Sequence, residues 1–449
     1  FFAYRNARPD RGLQDREMIQ LNDSIAMSPH MADLKRLWDE GMMKVVQGVG
    51  YPEQNLSHFR STDIWSSASD SNEFVNSGWI GRYVEDVFPD FIENTPSYPP
   101  AIQIGGGSSL LFTGQQVDKL GFEAFSAEQI SEFAASGQVH SLDNLPPCSY
   151  GDQLKYVRIM TNSTYKFVDS LKIAYDLGPD SSLPYSNGDF SQVLKIVAKP
   201  IKGGLKTKIY VVEIDGFDTH ANQIPTHEQL WKEVSSGINN FYKDFEGTEF
   251  EDKVLSVTFS EFGRRVEQND GPGSDHGAAS VMLAFGKCLE GNGTIGTYPS
   301  LTELDDHDNL VFNIDFRHVY STLFTEWLCL EDSHSDAILF KDFGESLDFG
   351  FSCQQVSTVK ERPQSRYSHH ASYGLGDVYI NYSIPKDTMV MVELVSMTGQ
   401  SILLDRQMNK KAGTYSIPVK QNQRNLMPGA YIYRIRITGA EFSGKLILN

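Results

Sequence analysis

The chain has 449 residues and a formal net charge of −19, with 58 Asp and Glu residues against 39 Lys and Arg residues. This acidic balance argues against a nucleic-acid partner, because phosphate binding needs a basic face. No run of about 18 apolar residues occurs, so no segment is predicted to span a bilayer, and the length predicts two domains.

The amino-terminal part predicts a helix followed by a strand. Asn22 or Asp23 is a candidate helix cap, apolar residues then recur at helical spacing, and VVQGVG is typical of a strand. The next helix is predicted to begin close to Ser57. Unpaired N–H groups and the helix dipole favour anions there, so Ser57 is a candidate nucleophile or phosphate-facing hydroxyl, or else an ordinary N-cap serine.

Residues 78–199 show less periodicity and contain several turn-rich stretches. The run IGGGSS at 104–109 lacks the Gly-Lys-Ser/Thr ending of a phosphate loop. We therefore interpret it as a turn within a cap-like insertion.

Two predicted strands are each followed by acid and imidazole groups. Lys208–Ile214 is apolar at nearly every position, which predicts a central strand buried on both faces of a parallel sheet. A helix at Glu228–Phe245 and a second buried strand at Val254–Phe259 follow. The carboxyl ends of parallel strands meet at one edge, where sites form. The candidates after the two strands are Glu213, Asp215, Asp218, His220, Glu261, Arg264, Asp275 and His276.

Carboxylates and imidazoles at this density suit a divalent metal or a general acid–base pair. The alternative is that the acids cap the following helix while His220 packs. Arg264 is placed to bind a phosphate, sulfate or carboxylate, or to neutralise Glu261 in a structural ion pair. His58 is a secondary candidate, and His318, among apolar neighbours on a predicted helix, is expected to pack.

The adjacent Asp275 and His276 can share a metal pair, or the imidazole can carry a proton. A short strand, VMLAFG, and an amphipathic helix at Asp315–Leu330 follow. Residues 353–372 are polar and predict a linker. Residues 373–449 alternate with a period of two in short segments, which predicts a small antiparallel β-sandwich.

The four cysteines show no C-x-x-C spacing of a zinc or thioredoxin-like site. In an exported protein they allow up to two disulfides with three pairings, and Cys329 with Cys353 is the pair nearest in sequence.

Six motifs in the first 350 residues together resemble a bacterial family called domain of unknown function 1501. They are VVQGVGYPEQNLSHFRSTDIW, GWIGRY, GFDTHANQ, FSEFGRR, GSDHGAAS and DFRHVYSTL. The resemblance implies an alkaline-phosphatase-like or sulfatase-like α/β/α sandwich, with a mostly parallel central sheet, over residues 1–352. It also implies metal-assisted hydrolysis of phosphate or sulfate esters, with zinc, calcium or manganese as the divalent ion.

Residue roles follow from the same resemblance. It implies Ser57 as the nucleophile, and Asp218, His220, Glu261 and His276 as the metal ligands. From the residues themselves, Arg264 is expected to face the anion, and His58, Glu213, Asp215 and Asp275 are secondary candidates.

The chain departs from the family pattern in two places. Residues 1–13, FFAYRNARPDRGL, do not supply the usual opening strand with its metal-binding aspartate, and Ser260-Glu261 replaces the usual Asp-His pair. The start at Phe1, without Met or a charged-then-apolar leader, predicts a processed or truncated end. The missing strand predicts a cell-envelope or protein partner that completes it. The departures also favour an alternative function, a non-catalytic surface scaffold or binding protein with a degenerate hydrolase fold.

Residues 373–449 resemble the sorting domain of the type IX secretion system of Bacteroidetes-type bacteria. The resemblance rests on the TGQ turn, LMPGAYIYRI and the terminal KLILN. It implies export across the outer membrane, recognition by the secretion machinery, and an extracellular or cell-surface location.

Overall fold

The computed structural model describes most of the chain, with gaps around 106–147 and 352–367. The described residues are 2–10, 12–92, 94–105, 109–117, 120–124, 140–142, 145–146, 148–351, 368–373, 378–384, 387–396, 399–419, 426–437 and 440–448. Within them the protein is mixed α/β, which confirms the predicted class at that level. The core of IGGGSS, residues 106–108, lies outside this part.

The helices of the described residues range from single turns to a long helix of 29 residues. They are α1 Phe2–Ala7, α2 Leu34–Asp39, α3 His58–Ser67, α4 Trp79–Val87, α5 Ser149–Leu177, α6 Asp189–Lys202, α7 Gln223–Lys243, α8 Phe316–Thr322 and α9 Asp332–Leu339. A π-helix, Leu323–Trp327, continues α8. None of the helices in the described ranges combines the length and apolarity needed to cross a membrane.

Short strands alternate with these helices. They are β1 Ile19–Gln20, β2 Ala26–Met27, β3 Met43–Gly50, β4 Ala101–Ile104, β5 Phe122–Ala124, β6 Ile209–Val212, β7 Ser256–Val257, β8 Gly263–Arg264, β9 His276–Gly277, β10 Ser280–Phe285, β11 Gly293–Ile295 and β12 Ile314–Asp315.

The strands form two main sheets where the sequence predicts one mostly parallel central sheet. The first is parallel, in the order β5-β4-β6. The second has the order β11-β3-β10-β7, with β12 also paired to β3. In it β10 runs antiparallel to both β3 and β7, whereas β11 runs parallel to β3. Every residue of β3 is buried, so this strand is the centre of the second sheet.

The predictions that Lys208–Ile214 is a central strand and that Val254–Phe259 is a second buried strand are wrong for the described residues. Only Ile209–Val212 and Ser256–Val257 form strands, and each is the last strand of its sheet. All of their residues are half-buried. The apolar pattern correctly indicates strands, and residues of both strands line a cleft.

The first predicted helix also differs from the structure. Asn22 does not cap a helix, because its Oδ1 accepts hydrogen bonds from the backbone N–H groups of Ser24 and Ile25 in the turn between β1 and β2. The α-helix begins only at Leu34. Asn commonly stabilises tight turns in this way, and the sequence alone does not separate that role from capping.

The carboxyl-terminal part forms two antiparallel sheets around its own apolar core. Its strands are β13 Ser368–Tyr373, β14 Val378–Ile384, β15 Thr388–Ser396, β16 Ser401–Lys410, β17 Gly413–Val419, β18 Gly429–Ile437 and β19 Ala440–Leu448. The orders are β13-β14-β17 and β16-β15-β18-β19. β13 begins inside the segment 353–372 that the sequence predicts as a linker, so the sheets start earlier than expected.

The cysteines divide into free and bonded groups. Cys148 and Cys288 are free, whereas Cys329 is disulfide-bonded. Cys353, the neighbour suggested by the sequence, lies outside the described residues.

The raised pKa of Asp336 on α9 predicts that the stability of the fold depends on pH. Burial first, and then the charges of Asp342 and Asp332, raise its pKa to about 6. The folded state thus holds this proton more tightly than the unfolded chain, whose Asp pKa is about 3.9. The stability contribution is full below that value and is lost as the pH rises through about 6. Asp336→Asn is therefore expected to raise the melting temperature by a few degrees at pH 8 and to leave it unchanged at pH 4.

Scanning calorimetry at the two pH values measures this effect. Asp169→Asn, on the exposed face of α5, is the matched control and is expected to change neither melting temperature. Equal shifts of the Asp336→Asn variant at both pH values would contradict the assignment.

Candidate metal centre

Imidazole and carboxylate side chains from three parts of the chain meet at one place. These parts are the start of α3, the loop after β6 and the segment from the end of β7 to β9. Since the loops after β6 and β7 both lead here, the two strands direct their carboxyl ends towards the same site. The side chains are those of His58, Asp218, His220, Glu261, Asp275 and His276.

Close backbone approach brings residues 271–277, GPGSDHG, to the cluster. The backbone N–H of Ser274 donates to the Thr219 carbonyl at 3.2 Å. Gly273 lies directly against the next residue of that loop, because a Cβ at Gly273 would be 2.3 Å from the carbonyl carbon of His220. The crossing of these two segments therefore requires glycine.

Asp218 lies at the centre of the cluster. Its Oδ1 is 3.0 Å from His276 Nε2 and 3.1 Å from His220 Nε2, and its Oδ2 is 3.1 Å from His58 Nε2. The Nε2 atoms of His220 and His276 are 3.0 Å apart. All three imidazoles therefore direct Nε2 towards one carboxylate.

The other nitrogen of each imidazole, Nδ1, contacts an acceptor outside this centre. The three pairs are His58 with Glu261 Oε1 at 2.7 Å, His220 with Asp275 Oδ1 at 2.9 Å, and His276 with the Leu56 carbonyl at 2.9 Å. A carbonyl can only accept, so Nδ1 of His276 carries the proton and its Nε2 has a free lone pair when the ring is neutral. Such outer partners orient histidine ligands in metal sites.

The surroundings shift the pKa of two groups at the centre. The hydrogen bond to Glu261 is the main cause that raises the pKa of His58, against partial burial and with further support from Asp218. Desolvation opposes ionisation of Asp218, but hydrogen bonds from Arg264, His276 and His58 hold its pKa far below the usual range. Asp218 is therefore a carboxylate, the form that binds cations.

Arg264 anchors this carboxylate. Its Nη2 donates to Asp218 Oδ1 at 2.5 Å and to the Phe217 carbonyl at 3.1 Å, and its Nη1 donates to the Ser274 carbonyl at 2.8 Å. The ion pair proposed from sequence between Arg264 and Glu261 is thus replaced by one with Asp218.

Phe262 forms an apolar wall of the cluster that the sequence analysis missed. Its ring centroid is 4.3 Å from that of His276 and 4.8 Å from that of His58, and the side chain is only 6% exposed. Its position directly after the candidate acid Glu261 was the sequence feature that could have indicated this role. Its packing fixes the planes of two imidazoles.

Three sequence candidates lie outside the cluster. Ser57 precedes His58 at the start of α3, is exposed, and makes no capping hydrogen bond with its side chain. Glu213 accepts a hydrogen bond from Gln103 Nε2 at 3.1 Å. Glu213 and Asp215 line the cleft beside β6.

His58, Asp218 and His276 form a group that could hold a metal ion. One ligand atom from each lies within 4.8 Å of the others. Two imidazole nitrogens and a carboxylate oxygen form a donor set that suits zinc and other divalent transition metals. The described fold and this cluster thus define a mixed α/β protein with a candidate metal centre.

A family model matches residues 205–317, which contain β6, α7 and most of the cluster. The family is described as "Protein of unknown function (DUF1501)". This match supports the family resemblance over that segment. No curated protein matches the chain.

Proposed function

We propose that the cluster binds one divalent metal ion and that the α/β part hydrolyses a phosphate or sulfate ester on an alkaline-phosphatase-like fold. His58, Asp218 and His276 would hold the ion, and His220 is placed to join them. The convergence of three Nε2 atoms on Asp218, each imidazole being held from behind through Nδ1, carries the proposal.

Each residue of the cluster would have a distinct role in ester hydrolysis. A bound metal would supply Lewis-acid polarisation of the ester and a more acidic water. Arg264 keeps Asp218 ionised and fixed, and Glu261 and Asp275 orient their imidazoles. Ser57 is the proposed nucleophile, because it is exposed beside His58 at the start of a helix whose N–H groups favour anions.

Metal analysis and an ester screen on the intact chain test this proposal. The protein, purified without chelators, is expected to hold about one equivalent of zinc or manganese and to cleave p-nitrophenyl phosphate or p-nitrophenyl sulfate. Ser57→Ala is expected to keep the metal and lose turnover. Metal without turnover of either ester class would favour the alternative of a binding protein, and absence of metal would remove the proposed centre.

We further propose that the carboxyl-terminal sheets direct export through the type IX secretion system to the cell surface or medium. Their separate core and the disulfide at Cys329 support this, because disulfides persist in oxidising compartments. A chain that ends at residue 367 is expected to accumulate inside a Bacteroidetes-type host, whereas the full chain appears outside. Fractionation and immunoblotting measure the difference, and equal export of both chains would contradict the proposal.

A further inference from the structure

Three residues of the metal centre belong to one short hairpin. Its strands β8 and β9 pair antiparallel, Gly263 with Gly277 and Arg264 with His276, and Asp275 directly precedes β9. An isolated two-stranded hairpin is marginally stable at best, and each of these strands has only two residues. The hairpin therefore needs support from other parts of the chain to hold its side chains in place.

The loop that joins the two strands is braced from within by Asn269. Its Nδ2 donates to Asp275 Oδ1 at 3.1 Å and to the His220 carbonyl at 3.0 Å, and its Oδ1 accepts from the Gly273 N–H at 3.2 Å. This brace holds the end of the loop next to β9. None of these bonds involves residues 265–266, which follow β8 directly.

Arg8 holds the start of the loop from the amino-terminal segment, residues 2–10. Its Nη2 donates to the Arg265 carbonyl at 2.7 Å, and its Nε donates to the Val266 carbonyl at 2.9 Å. A rigid guanidinium that donates to two neighbouring carbonyls fixes both their position and their direction. Arg8 thus fixes the two residues after Arg264, which anchors the central carboxylate of the cluster.

Further contacts join the amino-terminal segment to the same loop. The Gln268 N–H donates to the Ala7 carbonyl at 3.2 Å. The Gln268 side chain also pairs with Asp10 in both directions, because its Nε2 donates to Asp10 Oδ2 at 2.8 Å and its Oε1 accepts from the Asp10 N–H at 3.1 Å. Together with the bonds of Arg8, these contacts hold the segment along the first part of the loop.

Arg8 is itself held in place by its neighbours in the chain. Its N–H donates to the Tyr4 carbonyl at 3.0 Å, its guanidinium carbon lies 5.9 Å from the centre of the Tyr4 ring, and the Tyr4 hydroxyl accepts from the Leu13 N–H at 3.1 Å. Burial lowers the pKa of Arg8 from its ordinary value. A partly buried guanidinium needs acceptors for its donors, and the carbonyls of residues 265–266 provide them.

The path from the amino-terminal segment to the metal centre is short. The Arg265 N–H donates to the Asp275 carbonyl at 2.9 Å, so the residue that Arg8 holds also holds the start of β9, which carries His276. On its other side Arg265 is bonded to Arg264. Movement of residue 265 would therefore displace both the anchoring arginine and a candidate metal ligand.

We infer that the amino-terminal segment is a positioning element of the metal centre, and that its docking through Arg8 and metal binding at the Asp218 cluster stabilise each other. The inference rests on the metal site of the proposed function. Coupling between two sites is reciprocal in binding free energy. Release of the segment therefore lowers the metal affinity by the same factor by which the metal strengthens docking of the segment.

Zinc titration of the full chain tests this coupling. Arg8→Leu is expected to lower the zinc affinity about tenfold, the low end of the range for an orienting partner, because Arg8 acts through the hairpin and not on a ligand directly. Gln268→Glu, which sets a second carboxylate against Asp10, is expected to lower the affinity several-fold. Competition with a chromophoric chelator measures both affinities.

Two further variants separate positioning from general destabilisation. Arg8→Lys keeps the cation but offers a single ammonium to the two carbonyls, so it is expected to restore part of the lost zinc affinity. Arg16→Leu, at an exposed site in the same part of the chain, is expected to bind zinc as tightly as the unaltered protein. Each variant is titrated below its melting temperature, so that unfolding does not imitate a loss of affinity.

Hydrogen–deuterium exchange provides the reciprocal measurement. Saturating zinc is expected to slow exchange about tenfold at the Gln268 amide, which bonds to the Ala7 carbonyl, because the bound metal strengthens docking of the segment. In metal-free Arg8→Leu, the amides of 263–264 and 276–277 are expected to exchange faster than in the metal-free unaltered protein.

The outcomes separate this inference from the proposed function. Equal zinc affinity of the unaltered protein, Arg8→Leu and Gln268→Glu would overturn the coupling and leave the metal centre in place. Absence of zinc binding by the unaltered protein would overturn the metal centre and the coupling together. Unchanged exchange of the hairpin amides in metal-free Arg8→Leu would show that the amino-terminal segment does not position the hairpin.

Discussion

Replacing His276 with alanine is expected to remove the bound metal and to lower ester turnover at least about a hundredfold. Its Nε2 lies 3.0 Å from Asp218, and the Leu56 carbonyl fixes its Nδ1, so its Nε2 lone pair is directed at the proposed metal position. Loss of an orienting partner alone typically lowers metal affinity or activity by about 10–100-fold, so loss of one ligand of a three-residue group is expected to cost at least as much. Mass spectrometry of the native protein gives the metal content, and an ester assay gives turnover.

His307→Ala is the matched control, because His307 is exposed, lies in the 305–309 loop and makes none of the cluster's contacts named above. It is expected to keep both metal and turnover. Asp275→Asn separates ligation from orientation, since Asp275 contacts only Nδ1 of His220 among the imidazoles. This variant is expected to lower the affinity for the metal less than His276→Ala does. Unchanged metal in the His276 variant would reject the centre.

The sequence predicts much of the cluster because of one physical rule. Acids and imidazoles are expected where the loops after neighbouring strands meet, and Asp218, Glu261 and His276 do lie together, although the two strands belong to separate sheets. The place of His58 was harder to predict, because it reaches the cluster from a helix start far away in sequence. Nothing local to that helix indicates which strand end it meets.

The fold shows the same limit of local patterns. Continuous apolar runs indicate strands at β6 and β7 but not which neighbours pair with them. The 29-residue helix α5 was not predicted, because several of its apolar residues, such as Ile173 and Leu177, are exposed and blur the helical period. Pairing and exposure depend on the rest of the chain, which a local pattern does not contain.

Replacing Arg82 with leucine is expected to lower the free energy of unfolding of the α/β part by about 3–5 kcal/mol, because it removes the partner of several buried groups. Arg82 is 4% exposed. It donates to the carbonyls of Ser67, Ser77 and Ile338, each at 2.6 Å. Each buried carbonyl left unpaired costs about 1–3 kcal/mol, and total stability is only about 5–15 kcal/mol.

The position of these carbonyls explains why a cation is needed. Ser67 is the last residue of α3, and Ile338 lies in the last turn of α9. Helix ends leave carbonyls unpaired and carry partial negative charge, and one guanidinium joins both ends. Burial lowers the Arg82 pKa to about 9, which still leaves the group charged at neutral pH.

Urea unfolding followed by tryptophan fluorescence measures the change, because all five tryptophans precede residue 352 and report only on the α/β part. Arg82→Lys keeps the charge but not the planar guanidinium with its several donors. It is therefore expected to lower the free energy of unfolding less than Arg82→Leu does. Arg16→Leu, at an exposed site, is expected to change stability by less than about 0.5 kcal/mol. A leucine variant as stable as Arg16→Leu would mean that water or a rearranged turn satisfies the three carbonyls, and that Arg82 does not hold α3 to α9.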